Sequence, residues 1–271
     1  MPVHLSSFIP ANKTDKVFSE IVAMTNDTDV LCFSEDNHII HLQKDLIDAV
    51  KNEPFGRVVF TVRIDEATKC LNIIDIDIVI ENEKKTKLEL ISRLAKSSDS
   101  NEYYDADVVD GGRIQIETVN RHAFHGELEG TIHEFRLSAF PFSVDVFDSM
   151  YEVNKRWDKE ETEENADGDK MKVSGFADTF VCPGSMFHLG EETDETFTYF
   201  FGQVNNIRKV ECHDFSEPIS FFIVDVLSGM GVIPVAMSPE CFDLSSLEIG
   251  KTLEIRADIK ADLIDDVSEK N

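Results

Sequence analysis

The stretch ETFTYFFGQVNNIRKVECH (195–213), followed by PISFFIVDVLSGMGVIPVAMS (218–238) and KTLEIRADIKADL (251–263), decides how the second half of this chain is read. All three segments are rich in β-branched and aromatic residues, and the last alternates Leu253, Ile255, Ala257 and Ile259 with polar neighbours, the period of a half-buried strand. Ser228-Gly229-Met230-Gly231 divides the middle segment into a hairpin, its glycines supplying positive φ. Gly202, inside the longest segment, marks a bulge or a close backbone approach. Between these strands PECFDLSSLEIG (239–250) reads as a short helix or loop, and KVSGFADTFV (172–181) as a further strand.

The first half mixes helix and strand signals. Thr14 can cap a short helix bearing Val17, Phe18 and Ile21. DVLCF (29–33) and HIIHL (38–42) read as strands, and QKDLIDAVKN (43–52) as a helix ending before Pro54. GRVVFTVRI (56–64) and LNIIDIDIVIEN (71–82) form a hairpin whose second strand points Ile74, Ile76, Ile78 and Ile80 one way and Asp75, Asp77 and Val79 the other. KKTKLELISRLAKSS (84–98) reads as an amphipathic helix with Leu88, Ile91 and Leu94 or Ala95 on its stripe. SSDSNEYYDADVVDGG (97–112) reads as a long loop. GRIQIETVNRHAF (112–124) and GTIHEFRLSAF (130–140) read as strands, and a final helix capped by Ser143 carries Val146, Met150, Val153 and Trp157.

The acidic stretch DKEETEENADGDK (158–170) has no large apolar residue to offset the entropy of ordering, and reads as a linker or exposed loop. The expected organisation is an α+β domain over 1–157, with a mixed or antiparallel sheet and three to four helices, then a mostly β domain over 171–265 and a frayed tail over 266–271. In its strand order, FFGQVNNIRKVE, ISFFIVDVLSGMGVIPVAMSPE and LEIGKTLEIRADI, the second domain resembles an OB-fold across about seventy residues, with strand 172–181 as a substitute for the missing fifth. That resemblance implies a small barrel that binds a ligand, commonly an oligonucleotide or oligosaccharide.

Composition narrows the function. In 271 residues, 26 Lys and Arg face 53 Asp and Glu, a net charge of −27. The excess is spread: 17 basic and 28 acidic residues over 1–157, 2 and 7 over 158–170, and 7 and 18 over 171–271. Such a chain is a poor ligand for phosphate backbones or anionic lipid. It has no apolar run of membrane-spanning length and no signal-peptide pattern. The five cysteines are widely spaced without a C-x-x-C, which points to reduced thiols in the cytoplasm.

Four groups could carry chemistry. His122, His125 and His133, beside Glu134, could hold a divalent metal and activate water; as ordinary hairpin residues they would simply be solvated. Asp75 and Asp77 could hold Mg²⁺ or Ca²⁺, or lie on a wet strand face beside Arg63. Phe197, Tyr199 and Phe201 fall on one face of a strand near Arg208 and Lys209: they could stack on a sugar or base, or be core. Cys182 and Cys212 have His188 and His213 nearby in sequence, a pairing that nucleophilic catalysis could use, although isolated cysteines are mostly packing residues. Phosphate-binding glycine loops and a nucleophile elbow are absent. The leading expectation is a non-catalytic cytosolic binding protein, without an obligatory cofactor, whose ligand is a protein, small molecule or saccharide. The alternatives are a metal-dependent hydrolase built on the histidines and an acidic mimic of nucleic acid that captures a basic partner.

Overall fold

The computed structural model describes residues 7–33, 38–65, 67–68, 70–94, 102–120, 129–160, 176–177, 179–184 and 196–264. Among the described residues two α-helices, α1 (Thr14–Ala23) and α2 (Met150–Glu160), accompany thirteen strands joined in one sheet. The strands are β1 (Asp29–Phe33), β2 (Ile39–Asp48), β3 (Glu53–Ile64), β4 (Leu71–Ile80), β5 (Thr86–Arg93), β6 (Glu102–Val108), β7 (Arg113–Thr118), β8 (Ile132–Phe147), β9 (Val181–Pro183), β10 (Thr198–Cys212), β11 (Ile219–Ser228), β12 (Gly231–Met237) and β13 (Thr252–Leu263).

The organising element is an antiparallel ribbon of β8 and β13, paired from Thr252 with Phe147 to Leu263 with Phe135. Two rings close on it. At one end β5 pairs with β8, β6 with β5, β7 with β6, and β7 returns to β13 in parallel at Lys260 with Glu117. At the other end β12 meets β8 in parallel at Val235 with Ala139, β11 pairs with β12, β10 with β11, and β10 returns to β13. The interiors share a single core, to which the ribbon contributes Phe135, Leu137, Ala139, Ile255, Ala257, Ile259 and Ala261.

This arrangement overturns the expected α+β domain followed by a separate OB-like barrel. The C-terminal strands do close a ring, but β8, from the first half, supplies the stave that completes it. Where helices are expected at 43–52 and 84–98, the described residues form strands over 43–48 and 86–93. Residues 43–48 extend β2 and pair with β3. In β5, Leu88 and Leu90 are fully buried at a spacing of two while Ile91 is exposed. Leu88 with Ile91 satisfies a helical stripe, and Leu88 with Leu90 a strand; sheet pairing decides between them, as tertiary context commonly does. The loop expected at 97–112 contains β6, and residues 143–147 belong to β8, so the last helix starts only at Met150. Most of the 158–170 stretch lies outside the described residues.

A second core lies between the outside of the C-terminal ring and the sheet β2–β3–β4, closed by Val17 and Ile21 of α1. Phe221 and Ile223 of β11 face it, while Val224 and Val226 of the same strand face the first core. Val58, Phe60, Val62, Ile76, Ile78 and Ile80 fill it from β3 and β4. Their opposite face is covered as well, because Val59 and Val79 pack on Val119, just beyond β7. The middle of β3 and the end of β4 are therefore buried on both sides, and Arg57, Thr61 and Asp77 of that second side are enclosed, while Asp75 is half-buried.

Candidate functional site

Alternation along β4 puts Asp75 and Asp77 on the face opposite Ile76 and Ile78. The register with β3 sets Asp77 beside Val59 and Asp75 beside Thr61, and a bulge after Thr61 places Arg63 opposite Asn72. Alternation along β13 likewise sends Lys260 and Asp262 away from the first core, and the parallel pairing with β7 places Glu117 alongside Lys260. The two polar faces meet. Lys260 Nζ donates to Asp77 Oδ1 at 2.7 Å and also to Glu117 Oε2. Carboxylate oxygens of Asp75, Asp77 and Glu117 lie within 4.8 Å of one another. Lys260 is 2% exposed and Asp77 1%.

Burying an ion pair is costly unless geometry and further hydrogen bonds compensate. Burial works against the charge on Lys260, but Asp77 and Glu117 outweigh it and hold its pKa well above the ordinary lysine value. Asp77 moves the other way. Burial pushes its carboxyl up to about 7; Lys260 opposes the rise, and Glu117 and Asp75 reinforce it. The second oxygen of Asp77, Oδ2, has no hydrogen-bond partner among the described residues.

Two residues further along β13, a second ion pair continues the seam, formed with Arg57 of β3, which stands opposite Val79 of β4. Arg57 Nη2 donates to Asp262 Oδ2 at 2.5 Å and its Nη1 to Glu81 Oε1 at 3.1 Å, while Arg136 stands 4.0 Å from Asp262. Asn120 Nδ2 donates to the Leu263 carbonyl at 3.0 Å and its Oδ1 accepts from the Leu263 amide at 2.9 Å, fixing the end of β13. Of the two carboxylates read as a Mg²⁺ or Ca²⁺ pair, Asp77 already holds a cation, the Lys260 ammonium, which it shares with Glu117, and these surroundings suit a structural cross-link between sheets.

Of the histidine group, His122 and His125 lie outside the described residues. His133 is buried on β8, its Nε2 2.7 Å from Thr131 Oγ1 and its ring edge-on to Phe135. Glu134 points elsewhere and accepts from Lys85 at 3.2 Å. The structure therefore does not bring His133 and Glu134 to a common point.

Phe197, Tyr199 and Phe201 are 3%, 0% and 0% exposed, in a third core with Val153, Cys182, Trp157, Phe176 and Phe180. They face outward from the ring, and α2 covers them. The Tyr199 hydroxyl donates to Glu254 at 2.7 Å, and Arg156 reaches the same carboxylate at 3.5 Å. Arg208 and Lys209 sit further along β10, and Lys209 pairs with Glu211 at 2.9 Å. The stripe and the two cations form no common surface. Cys182 and Cys212 are buried, and burial pushes both thiols up to about 12, which keeps them protonated and poorly nucleophilic at neutral pH.

Sequence reasoning missed Glu117 and Lys260. The available signal was the lysine's place on the polar face of a strand followed by Asp262, a pattern that ordinarily means a solvated edge. Among the described residues no helix is long and apolar enough to cross a membrane. Comparison with protein-family models, with curated proteins and with solved structures finds no match to any of them.

Proposed function

We propose that this chain is a non-catalytic cytosolic binding protein that engages a basic protein partner through its carboxylate-rich surface. The observation that carries this reading is where the cations go. Lys260 and Arg57 are buried in the seam between sheets. Lys16, Lys44, Lys85, Arg113 and Lys251 are each engaged by a neighbouring carboxylate at the surface. With 53 acidic residues against 26 basic, intramolecular pairing consumes positive charge and leaves a carboxylate surplus facing solvent. Asp27 and Asp148 stay 86% and 69% exposed even while paired. Such a field attracts basic partners over a Debye length and repels nucleic acid. The four described free cysteines, Cys70, Cys182, Cys212 and Cys241, agree with a reducing compartment.

Titration with a fluorescent ten-residue Lys/Arg peptide, and with a Glu decamer as control, tests the proposal. Saturable binding of the basic peptide alone, weakened at least tenfold between 50 and 300 mM NaCl, is expected. No saturable binding at 50 mM salt, or binding indifferent to salt, overturns it.

A further inference from the structure

We propose that Arg256, Ser143 and Phe142 form a binding site for a small carboxylate that carries an aromatic or branched apolar group. The site lies where the outward face of β13 comes to the surface. Alternation puts Glu254, Arg256, Asp258, Lys260 and Asp262 on that face. Glu254 is buried beneath Arg156 of α2, and Lys260 and Asp262 are buried against β4 and β3. Arg256 and Asp258, between them, are only half-buried, so the face is covered at both ends and open in the middle.

Three neighbours shape the opening. Strand pairing sets Ser143 of β8 on one side of Arg256 and Tyr199 of β10 on the other. The Tyr199 ring is the floor, with the Arg256 guanidinium 5.8 Å from its centroid. Phe142 is the extra residue of a bulge in β8, between the partners of Arg256 and Ala257. It stays 41% exposed while its ring meets Phe197 edge-on at 5.2 Å. Phe197 stands just before β10, on the far side of β13 from β8, so the two rings meet across β13 next to the row that holds Arg256.

Arg156 is held by Asp145 and Glu254. Among the described residues, by contrast, no carboxylate lies within ion-pairing distance of the Arg256 guanidinium. Its planar fork is open to a carboxylate, with the Ser143 hydroxyl as a further donor. The exposed Phe142 ring beside it receives the apolar or aromatic group. Asp145, Glu254 and Asp258 on the same face set the charge limit. They suit the site to a single negative charge and oppose the second charge of a phosphate monoester. The site is independent of whether a basic partner binds elsewhere.

Titration of the full chain with 3-phenylpropionate, followed by NMR of arginine Nε–Hε groups and aromatic rings, tests the site. Saturable shifts at Arg256 and Phe142 are expected, with a dissociation constant on the order of 1 mM for a ligand of this size. The uncharged 3-phenylpropionamide should bind about tenfold more weakly, and 2-phenylethyl phosphate also more weakly than the carboxylate. These comparisons use the unmodified chain and need no variant to fold. Arg256→Gln and Phe142→Ala should each weaken binding about tenfold while far-UV circular dichroism stays unchanged. No saturable shift at Arg256, equal binding of the amide, tighter binding of the phosphate, or full affinity in Arg256→Gln overturns the proposal.

Discussion

Replacing Lys260 with methionine keeps most of the apolar stem and deletes only the ammonium. In the wild type that ammonium donates to Asp77 at 2.7 Å and to Glu117, with 2% of the residue exposed. Without it, Asp77 and Glu117 lose the ammonium that lies between them. Breaking a buried ion pair from one side costs about 3–5 kcal/mol, because the remaining charge has lost both water and partner. Against the roughly 5–15 kcal/mol of a typical domain, the variant should still fold. Urea denaturation at pH 7, followed by far-UV circular dichroism, should lower the midpoint by about 1–2 M at a slope near 3 kcal/mol/M, with the slope unchanged. The cost should shrink at pH 5, where the abandoned carboxyls can take up protons, and Glu117→Gln in the same background should recover part of it. A K260M variant within about 1 kcal/mol of wild type at pH 7 would refute the reasoning, since it would mean that the carboxylates are solvated or neutral without the lysine.

Phe201→Ala removes a fully buried ring packed 5.2 Å from both Tyr199 and Phe176; it should cost about 3–5 kcal/mol and redden the emission of Trp157, the single tryptophan, which stacks edge-on to Phe176 in the same core. At Gly202 a Cβ would lie 2.3 Å from Val226 Cγ1 and 2.8 Å from the Leu227 carbonyl, so Gly202→Ala should lower stability by about 1–3 kcal/mol, read as a falling thermal midpoint. A thiol reagent at pH 7.5 should modify exposed Cys70 within minutes and spare Cys182 and Cys212 until denaturant is added, with peptide mapping as the readout.

The cluster was half legible in the sequence. Asp75 and Asp77 stand out because they interrupt a run of isoleucines at a period of two, and that period survives in β4. Their counter-charge was not legible, since Lys260 lies 183 positions from Asp77 and only sheet topology brings them together. On β13 alone, Lys260 looks like any lysine of an amphipathic strand. The aromatic stripe was legible as a face, while its cover required knowing that Val153 and Trp157 of α2 pack upon it. The apolar spacing of Met150, Val153 and Trp157 announced that helix, but Val146 belongs to the preceding strand. The error at 84–98 has the same origin: Leu88, Leu90 and Ile91 fit two periods, and the deciding partners, β6 and β8, come later in the chain. Gly202 was read as a close approach and is one, at the point where β10 changes partner from β13 to β11.

The ribbon that both rings share pairs residues 135–147 with residues 252–263. A chain emerging from the ribosome can pair strands β1 through β4 and strands β5 through β8 early, but neither ring can close until β13, at residues 252–263, is in the open. Loop-closure entropy makes such distant pairing slow. For that interval Leu88, Leu90, Phe135 and Leu137 have no finished interior to enter, which makes the half-made protein a natural client for a holding chaperone and makes any late nonsense mutation a route to aggregation.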